Sequence, residues 1–258
     1  MHPPEVRAQA LVLVEAGLND CEISRRLGIP RRTILDWRRP TYVPQRKKPL
    51  ETCPRCWKPA KPIRFTPRTY AELLGLYLGD GYISLGARTM RLRIALDARY
   101  PEIIRSTKEL LECAFPVNPI GVVSAHRGRM FYVSVYSTHL PCLFPQHDLG
   151  LKHRREIKLE PWQTKLLQAA PWGFLRGCIR SDGYVFINRT DVHRPAPYKY
   201  LSYGFSNMSR DIIDLFLTTC HRVGVRTRCN RDSRGLWHVR INRRASVALM
   251  LTNVGLKE

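Results

Sequence analysis

The first forty residues show the spacing of apolar positions that is typical of short amphipathic helices. The spacing predicts three helices: residues 5–16, 21–27 and 31–38. Gly17 and Gly28 end the first two helices, because glycine readily adopts the left-handed conformation that follows a helix. Asn19 or Asp20 caps the second helix with its side chain. We place these helices in a small all-α domain that spans residues 1–42.

Residues 43–69 lack apolar periodicity and contain frequent prolines together with the basic run Arg46-Lys47-Lys48. Proline removes a backbone donor and disfavours helix at the residue before it, so such a segment tends to be extended. We therefore predict a linker between the helical domain and the rest of the chain.

From residue 70 onward, helical spacing alternates with the two-residue alternation of half-buried strands, and the whole order occurs twice. In one strand Arg91 and Arg93 alternate with Leu92 and Ile94, so one sheet face is apolar and the other cationic. The two copies span residues 70–170 and 171–258. The predicted fold class is α+β, with two pseudo-symmetric αββαββα halves beside the small all-α domain.

Each copy begins with nearly the same sequence. Leu74–Ile83 and Arg176–Val185 share the skeleton Gly-x4-Asp-Gly-Tyr followed by a β-branched residue. The skeleton pairs Gly75 with Gly177, Asp80 with Asp182 and Tyr82 with Tyr184. A glycine within a helix lets another backbone approach closely, and the glycine after the aspartate can end the helix. Two such helices side by side would bring two carboxylates together at one end, which is the outline of a metal site.

The chain of 258 residues has 43 lysines and arginines against 21 acidic residues, which gives a formal charge of +22. Basic residues occur along the whole length. This charge predicts a polyanionic partner, and we expect a nucleic acid rather than a membrane. No apolar run approaches the roughly 18 residues of a spanning helix, and the N-terminal sequence does not resemble a secretion signal. We expect a cytoplasmic, nucleoid-associated protein of a bacterial or phage-infected cell.

Most of the eight cysteines stand alone within apolar segments, as the free thiols of a reducing compartment do. Only Cys53 and Cys56 form a Cys-x2-Cys pair, which has the spacing of half a zinc knuckle. No second Cys-x2-Cys pair follows, and the nearest later histidine is His126. The sequence therefore predicts a linker turn, or the remnant of a zinc ribbon, rather than a structural Zn²⁺ site.

The segment Glu22–Trp37 resembles the helix-turn-helix of homeodomain-like regulators and transposases. In such modules the last helix enters the major groove, where residues near its N-terminus reach base edges and neighbouring cations hold phosphates. The resemblance implies Arg31, Arg32 and Thr33 as base-reading residues. It implies phosphate contacts for the surrounding cations: Arg25, Arg26, Arg38 and Arg39. The alternative is a small helical bundle with a solvated basic face.

The rest of the chain, residues 70–258, resembles a single-chain LAGLIDADG homing endonuclease, because the motif helix occurs twice and both copies keep the aspartate. The resemblance implies that the two motif helices pack across a pseudo-twofold axis, with Gly75 and Gly177 at their contact. Two curved antiparallel sheets would then form a saddle over double-stranded DNA. It also implies that a monomer contains the whole active site.

The resemblance implies Asp80 and Asp182 as catalytic residues that hold Mg²⁺ or another divalent cation. The preceding residues, Gly79 and Ser181, are implied as further metal ligands. Independently of the resemblance, hydrolysis of a phosphodiester needs a positioned water, neutralisation of transition-state charge and a stabilised leaving oxygen. Metal ions between paired carboxylates can supply all three.

Each copy ends in the same three residues, Gly150–Lys152 and Gly255–Lys257. The resemblance implies that Lys152 and Lys257 are the basic residues near the active site, with a catalytic role. Either lysine could orient the attacking water or stabilise developing charge. On a chain with 43 basic residues, a simple phosphate contact is the alternative.

The second motif departs from the family pattern at Arg176 and Arg180, where small or apolar residues are usual. Large charged side chains at these positions predict a looser packing of the second motif helix against the first. The second copy is therefore the one whose catalytic competence should be tested first.

Polar side chains on the exposed sheet faces are candidates for reading bases. They are Arg91 and Arg93 in the first half and Arg226, Arg228, Asn230, Arg240 and Asn242 in the second. Because the two halves differ in sequence, we expect a long DNA site that is only partly palindromic.

These features predict a site-specific, double-strand DNA endonuclease of the homing type. The alternative is a catalytically inactive, DNA-binding transcriptional regulator on the same fold. Some bacterial sporulation regulators resemble this fold joined to a helix-turn-helix and have lost the acids. Both acids are present in this chain, which favours the nuclease.

Overall fold

The computed structural model describes residues 2–38, 51–53, 55–56, 58–86, 89–148, 150–190 and 198–257. The chain divides into two compact units, residues 1–48 and 49–258. Two predicted features lie outside the described residues: the basic run Arg46-Lys47-Lys48 and the phosphate contact of Arg39. Among the described helices, none is long and apolar enough to cross a membrane.

The N-terminal unit has the three predicted helices, α1 (Pro4–Glu15), α2 (Asp20–Leu27) and α3 (Arg31–Arg38). Asn19 is the cap of α2: its side chain accepts from the backbone N–H of Glu22, whose carboxylate accepts from the N–H of Asn19. Gly28 ends α2 in the left-handed conformation, with φ of 66°. The helices enclose a small core of Ala10, Ile23, Ile29, Ile34 and Trp37.

The second unit begins with a two-stranded antiparallel ribbon, β1 (Glu51–Thr52) and β2 (Pro59–Ala60). Here the structure differs from the predicted linker over residues 43–69. Ile63 and Phe65 pack against the core of the unit, and helix α4 already begins at Pro67. The physical reason is local: the two apolar side chains anchor the segment, and the Thr66 hydroxyl caps the new helix.

The remaining elements form two halves of the same order. The first half contains α4 (Pro67–Asp80), β3 (Gly81–Leu85), β4 (Met90–Asp97), α5 (Pro101–Ala114), β5 (Ile120–Ala125), β6 (Met130–Ser137) and α6 (Leu140–Leu143). A connecting helix, α7 (Pro161–Ala169), was not predicted. The second half contains α8 (Pro171–Arg180), β7 (Gly183–Thr190), β8 (Tyr198–Asn207), α9 (Arg210–Arg222), β9 (Arg228–Arg231), β10 (Trp237–Ile241) and α10 (Arg244–Asn253).

Both halves build a four-stranded antiparallel sheet with the same topology. The strand order is β3-β4-β6-β5 in the first sheet and β7-β8-β10-β9 in the second. The register is equivalent as well, because Gly81 pairs with Ile94 and Gly183 pairs with Phe205. The predicted α+β class with two αββαββα halves is confirmed.

Helices cover one face of each sheet. In the first half α4, α5 and α6 pack on the sheet, and in the second half α8, α9 and α10 do so. On β4, Leu92 and Ile94 are fully buried beneath these helices, whereas Arg91 and Arg93 point to the opposite face. The period-two alternation in the sequence therefore separates a core face from an open, cationic face.

Candidate active site and DNA-contacting surfaces

The two motif helices, α4 and α8, pack with their backbones in direct contact. A Cβ atom added at Gly75 would lie 2.6 Å from the Phe174 carbonyl oxygen. One added at Gly177 would lie 2.2 Å from the Glu72 carbonyl oxygen and 3.0 Å from the Gly75 Cα. Any larger residue would push the helices apart, so both predicted glycines do occupy the helix contact.

This contact brings the two motif aspartates to one place. Asp80 is the last residue of α4, and Asp182 lies directly before the strand that follows α8. Between them the helix ends touch, because a Cβ at Gly79 would lie 2.1 Å from the Ser181 Oγ. Asp80 and Asp182 are both half-buried. The repeated motif predicts that the two carboxylates lie close together, and the pairing of α4 with α8 brings them there.

The electrostatic environment resists two negative charges at this point. Burial, together with the neighbouring Asp182 carboxylate, raises the pKa of Asp80 to about 7. Burial also raises the pKa of Asp182, although the Asn207 side-chain amide, which donates to its Oδ2 at 2.6 Å, acts against this. Two adjacent carboxylates with raised pKa values become stable as anions when a cation lies beside them.

The donor set fits a divalent cation of the Mg²⁺ type, which prefers carboxylate and carbonyl oxygens. The predicted ligands Asp80 and Asp182 supply the carboxylates. The carbonyl oxygens of Gly79 and Ser181, predicted as further ligands, each accept a hydrogen bond from a lysine Nζ. A carbonyl oxygen has two lone pairs, so each retains one acceptor position.

Both predicted lysines end on the carbonyl groups at the C-terminus of a motif helix. Lys152 Nζ donates to the carbonyls of Tyr77 at 2.7 Å and Leu78 at 2.9 Å, and also to Gly79. Lys257 Nζ donates to the carbonyls that flank Asp182, those of Ser181 and Gly183. Such cations stabilise the negative end of the helix dipole. Each lysine therefore caps the motif helix of its own half.

The same lysines face the aspartates in a crossed arrangement. Burial lowers the pKa of Lys152 to about 8, and the stronger opposing carboxylate is Asp182. Burial also lowers the pKa of Lys257, for which the stronger opposing carboxylate is Asp80. Two clefts flank Asp80: one of about 290 Å³ contains Lys257, and one of about 230 Å³ contains Lys152. Each lysine thus acts on both aspartates, and its larger effect is on the aspartate of the other half, which the repeat alignment does not reveal.

The predicted loosening by Arg176 and Arg180 is wrong, because α4 carries a matching acid. The Glu72 carboxylate lies 2.6 Å from Arg180 Nη1 and 3.7 Å from Arg176 Nη1. A second nitrogen of Arg176 donates to the Asn253 carbonyl at 2.6 Å. The arginines therefore bridge the two motif helices. The sequence signal was an acid within an otherwise apolar motif helix.

We expect Glu72→Gln to destabilise the second unit by about 2 kcal/mol, because it removes the counter-charge of two half-buried guanidinium groups. Chemical denaturation measures the change in unfolding free energy. The matched control is Glu109→Gln, which removes an exposed partner of Arg105 on α5 and should change stability by less than about 0.5 kcal/mol. Equal effects of the two variants would contradict a structural role for the bridge.

The open face of the first sheet combines arginines with tyrosines. Arg93 lies over the rings of Tyr82 and Tyr132, at 5.7 and 5.5 Å from their centroids. Arg91 lies 5.4 Å from the ring centroid of Tyr136 and donates to the Ser134 hydroxyl at 3.0 Å. The rings orient the guanidinium groups on the open face, where phosphates and base edges could be reached.

In the second sheet, Arg240 pairs with Arg228, and His238 pairs with Asn230, on adjacent strands. Arg228, Asn230 and Arg240 are exposed. The two other predicted contacts lie just outside the strands. Arg226 precedes β9 and donates its backbone N–H to the Ser246 hydroxyl, and Asn242 follows β10.

In the N-terminal unit, the predicted base-reading residues lie at the start of α3. Arg31 and Arg32 are exposed and Thr33 is half-buried, whereas the next residue, Ile34, belongs to the core. Arg38, predicted as a phosphate contact, forms an ion pair with Asp20 at 2.9 Å.

Comparison with known proteins agrees with this geometry. Residues 2–39 match the family described as Homeodomain-like domain, and residues 170–255 match the family described as LAGLIDADG-like domain. No curated protein matches the sequence.

Two solved structures of the homing endonuclease I-DmoI have a similar fold. A structure of its mesophilic variants is 15% identical, with a TM-score of 0.51 over 73% of this chain and 96% of that chain. The complex of I-DmoI with DNA and Mn is 15% identical, with a TM-score of 0.51 over 73% of this chain and 97% of that chain. The chain is therefore similar to a homeodomain-like domain over residues 2–39 and to a LAGLIDADG-like domain over residues 170–255, and its fold is similar to that of the homing endonuclease I-DmoI.

Proposed function

We propose that this protein is a site-specific DNA endonuclease that cleaves both strands by hydrolysis, with a divalent cation held by Asp80 and Asp182. The observation that carries the proposal is the meeting of two half-buried carboxylates at the joined ends of α4 and α8, between two lysines. A domain that only bound DNA would gain nothing from two adjacent, half-buried acids, one of which raises the pKa of the other.

A bound divalent cation supplies charge neutralisation at the scissile phosphate and lowers the pKa of its bound water. Asp80 and Asp182 would hold that cation, and the Asn207 amide fixes the orientation of Asp182. Lys152 donates to three carbonyl groups, so it supplies positive charge and positions the α4 terminus rather than accepting a proton. Lys257 supplies the corresponding charge at the end of α8.

Double-stranded DNA is the proposed substrate because both open sheet faces carry cations and the chain has a formal charge of +22. A related fold has been solved as a complex of I-DmoI with DNA and Mn, which supports both the substrate class and the divalent cation. One chain contains both aspartates, so we propose a monomer. The two open faces differ in their side chains, so we propose a long site that is only partly palindromic.

Cleavage and binding assays on the same DNA test the proposal. The purified protein is incubated with a randomised DNA library that also contains its native locus, in Mg²⁺ or in EDTA. We expect both strands to be cut at one extended sequence, in Mg²⁺ only. Tight binding without cleavage in Mg²⁺ or Mn²⁺ would instead support the DNA-binding regulator.

Deleting residues 1–42 should weaken DNA binding, because the helical unit adds a second contact at high effective concentration. We expect the affinity at physiological salt to fall about 100-fold and its dependence on salt concentration to become shallower. Gel-shift titration at several salt concentrations measures both changes. Cleavage at saturating protein should persist.

The matched test in the full chain compares two variants that remove equal charge. Arg31→Ala with Arg32→Ala should weaken binding, whereas Arg105→Ala with Lys108→Ala, on the helix-covered side of the first sheet, should have little effect. If both variants lost the same DNA affinity, α3 would contribute only through its charge and not through specific contacts.

A further inference from the structure

Four metal-ligating side chains meet at a place that the proposed nuclease reaction does not use. Cys53 and Cys56 lie in the loop between β1 and β2, and His139 and Cys142 lie at the start of α6. The three sulfur atoms and a histidine ring nitrogen all lie within 4.8 Å of one another. The sequence prediction that the Cys-x2-Cys pair lacks further ligands is thus incorrect: the other two come from a His-x2-Cys pair 83 residues after Cys56.

We propose that these residues form a structural Zn²⁺ site with three cysteine ligands and one histidine ligand. In a tetrahedral site, Zn–S bonds of about 2.3 Å place neighbouring ligand atoms roughly 3.8 Å apart. The four ligand atoms already lie within 4.8 Å of one another, so only a small contraction is needed to reach that geometry. Cys56 Sγ is already 3.2 Å from His139 Nδ1. All four positions of the metal are filled by protein, which is the pattern of a structural rather than a catalytic zinc site.

The histidine is held in the tautomer that a metal requires. Its Nε2 lies 3.1 Å from the Pro59 carbonyl oxygen, which can only accept a hydrogen bond, so Nε2 must carry the proton. In the neutral ring, Nδ1 then presents its lone pair to the sulfur atoms. A zinc-bound histidine is usually oriented by a carbonyl or carboxylate in this way. The contact also ties the ligand to β2.

The backbone around the ligands is arranged in two short turns. The Cys53 N–H donates to the Lys58 carbonyl at 2.9 Å, and the Lys58 N–H donates to the Cys56 sulfur. On the other side, the Cys142 N–H donates to the His139 carbonyl, which closes a turn that puts both ligands on one face. The backbone therefore holds Cys53 near Cys56 and His139 near Cys142 without a metal, and the metal would join these two pairs.

The metal would anchor the ribbon at the start of the second unit to the first half. Two strands of two residues each are too short to be stable by themselves. The ribbon nevertheless contains a buried cysteine, Cys53, and lies against the core through Arg55, which stacks 3.7 Å from the centroid of the Trp162 ring. Zinc would hold this segment, which leads to the DNA-binding helices, at a fixed point of the LAGLIDADG-like fold.

The test is cobalt(II) reconstitution of the full chain, with its thiols kept reduced. Cobalt in a tetrahedral thiolate site gives intense visible bands and a thiolate-to-metal charge-transfer band, which carboxylate sites such as Asp80 and Asp182 do not give. We expect one such site per chain and its displacement by one equivalent of Zn²⁺. Elemental analysis of protein purified without chelator should show one zinc ion per chain.

Cys142→Ser should lower the cobalt affinity at least about 100-fold, and Cys229→Ser, at an exposed cysteine of β9, should leave it unchanged. Hydrogen exchange gives a second measurement that needs no variant: chelation should speed the exchange of amides in residues 51–60 and leave α4 and α8 protected. The proposal is overturned if reduced wild-type protein shows no thiolate-to-cobalt band. It is equally overturned if Cys142→Ser and Cys56→Ser both bind cobalt as the wild type does.

Discussion

Replacing Asp80 by asparagine is expected to abolish DNA cleavage and, at the same time, to stabilise the metal-free protein. The variant loses one of the two carboxylates proposed to hold the divalent cation, so the cleavage rate should fall by at least about 1000-fold. DNA binding should persist, because the open faces of the sheets are unchanged. Gel electrophoresis of plasmid DNA and a gel-shift titration measure the two properties.

The stability gain follows from the raised pKa of Asp80. The folded protein holds a proton on Asp80 up to a pH of about 7, whereas the unfolded chain loses it near the ordinary value of 3.8. The unfolding free energy of the wild type therefore falls as the pH rises between these values, and the loss is complete above pH 7. Asparagine cannot ionise, so Asp80→Asn should gain about 1 kcal/mol or more at pH 8 and less at pH 5.

Thermal unfolding in EDTA at the two pH values measures this difference. Adding Mg²⁺ at pH 8 should raise the melting temperature of the wild type and leave that of Asp80→Asn nearly unchanged. Asp214→Asn, which removes an exposed ion pair on α9, is the control. It should alter neither DNA cleavage nor the pH dependence of the unfolding free energy. Full cleavage by Asp80→Asn would remove the basis of the nuclease proposal.

The variant Gly177→Ala should have the largest effect on stability. Its new methyl group would lie 2.2 Å from the Glu72 carbonyl oxygen, which belongs to the backbone and cannot turn aside. The two motif helices must separate, and we expect the unfolding free energy to fall by about 3 kcal/mol. Chemical denaturation measures the loss. Cleavage should also fall, because the same separation moves Asp80 away from Asp182.

Gly121→Ala in β5 is the matched control. There the added methyl group would lie 3.2 Å from the Ser134 hydroxyl, the end of a small side chain, and 4.0 Å from the backbone carbonyl oxygen of Ser134. We expect a change below about 1 kcal/mol and normal cleavage. If Gly177→Ala proved as mild as Gly121→Ala, the helices would not depend on backbone contact for their pairing.

The elements themselves were predictable because their signals are local. The helix predicted at residues 31–38 spans Arg31–Arg38, and the one predicted at residues 21–27 spans Asp20–Leu27, since apolar spacing and capping residues act within a few residues. The connecting helix α7 was not predicted, and its most buried residue is polar: Gln163 lies at 0% exposure and donates to Gln146 and the Tyr70 hydroxyl. The apolar core contacts of α7, Trp162, Leu166 and Leu167, do follow a helical spacing, but they are few in a helix of nine residues.

The candidate site was predictable in part. Repetition of Gly-x4-Asp-Gly-Tyr identified Asp80, Asp182 and the glycines between the helices. Asn207, which orients Asp182, gave no signal, because the equivalent position of the first half is an apolar residue, Leu96. The charge of Glu72 contrasts with its apolar neighbours, but the sequence does not show that its partners lie on the other motif helix.

The sequence by itself determined the elements, their duplication and the identity of the motif acids, since each of these depends on residues close together in the chain. Only the tertiary structure decided which distant groups meet: the bridge from Glu72 to Arg176 and Arg180, the crossed lysines, and the joining of a Cys-x2-Cys pair to a His-x2-Cys pair. The physical reason is that charge pairing and metal coordination depend on distances of a few ångströms in space. Spacing along the chain fixes such distances only within one element.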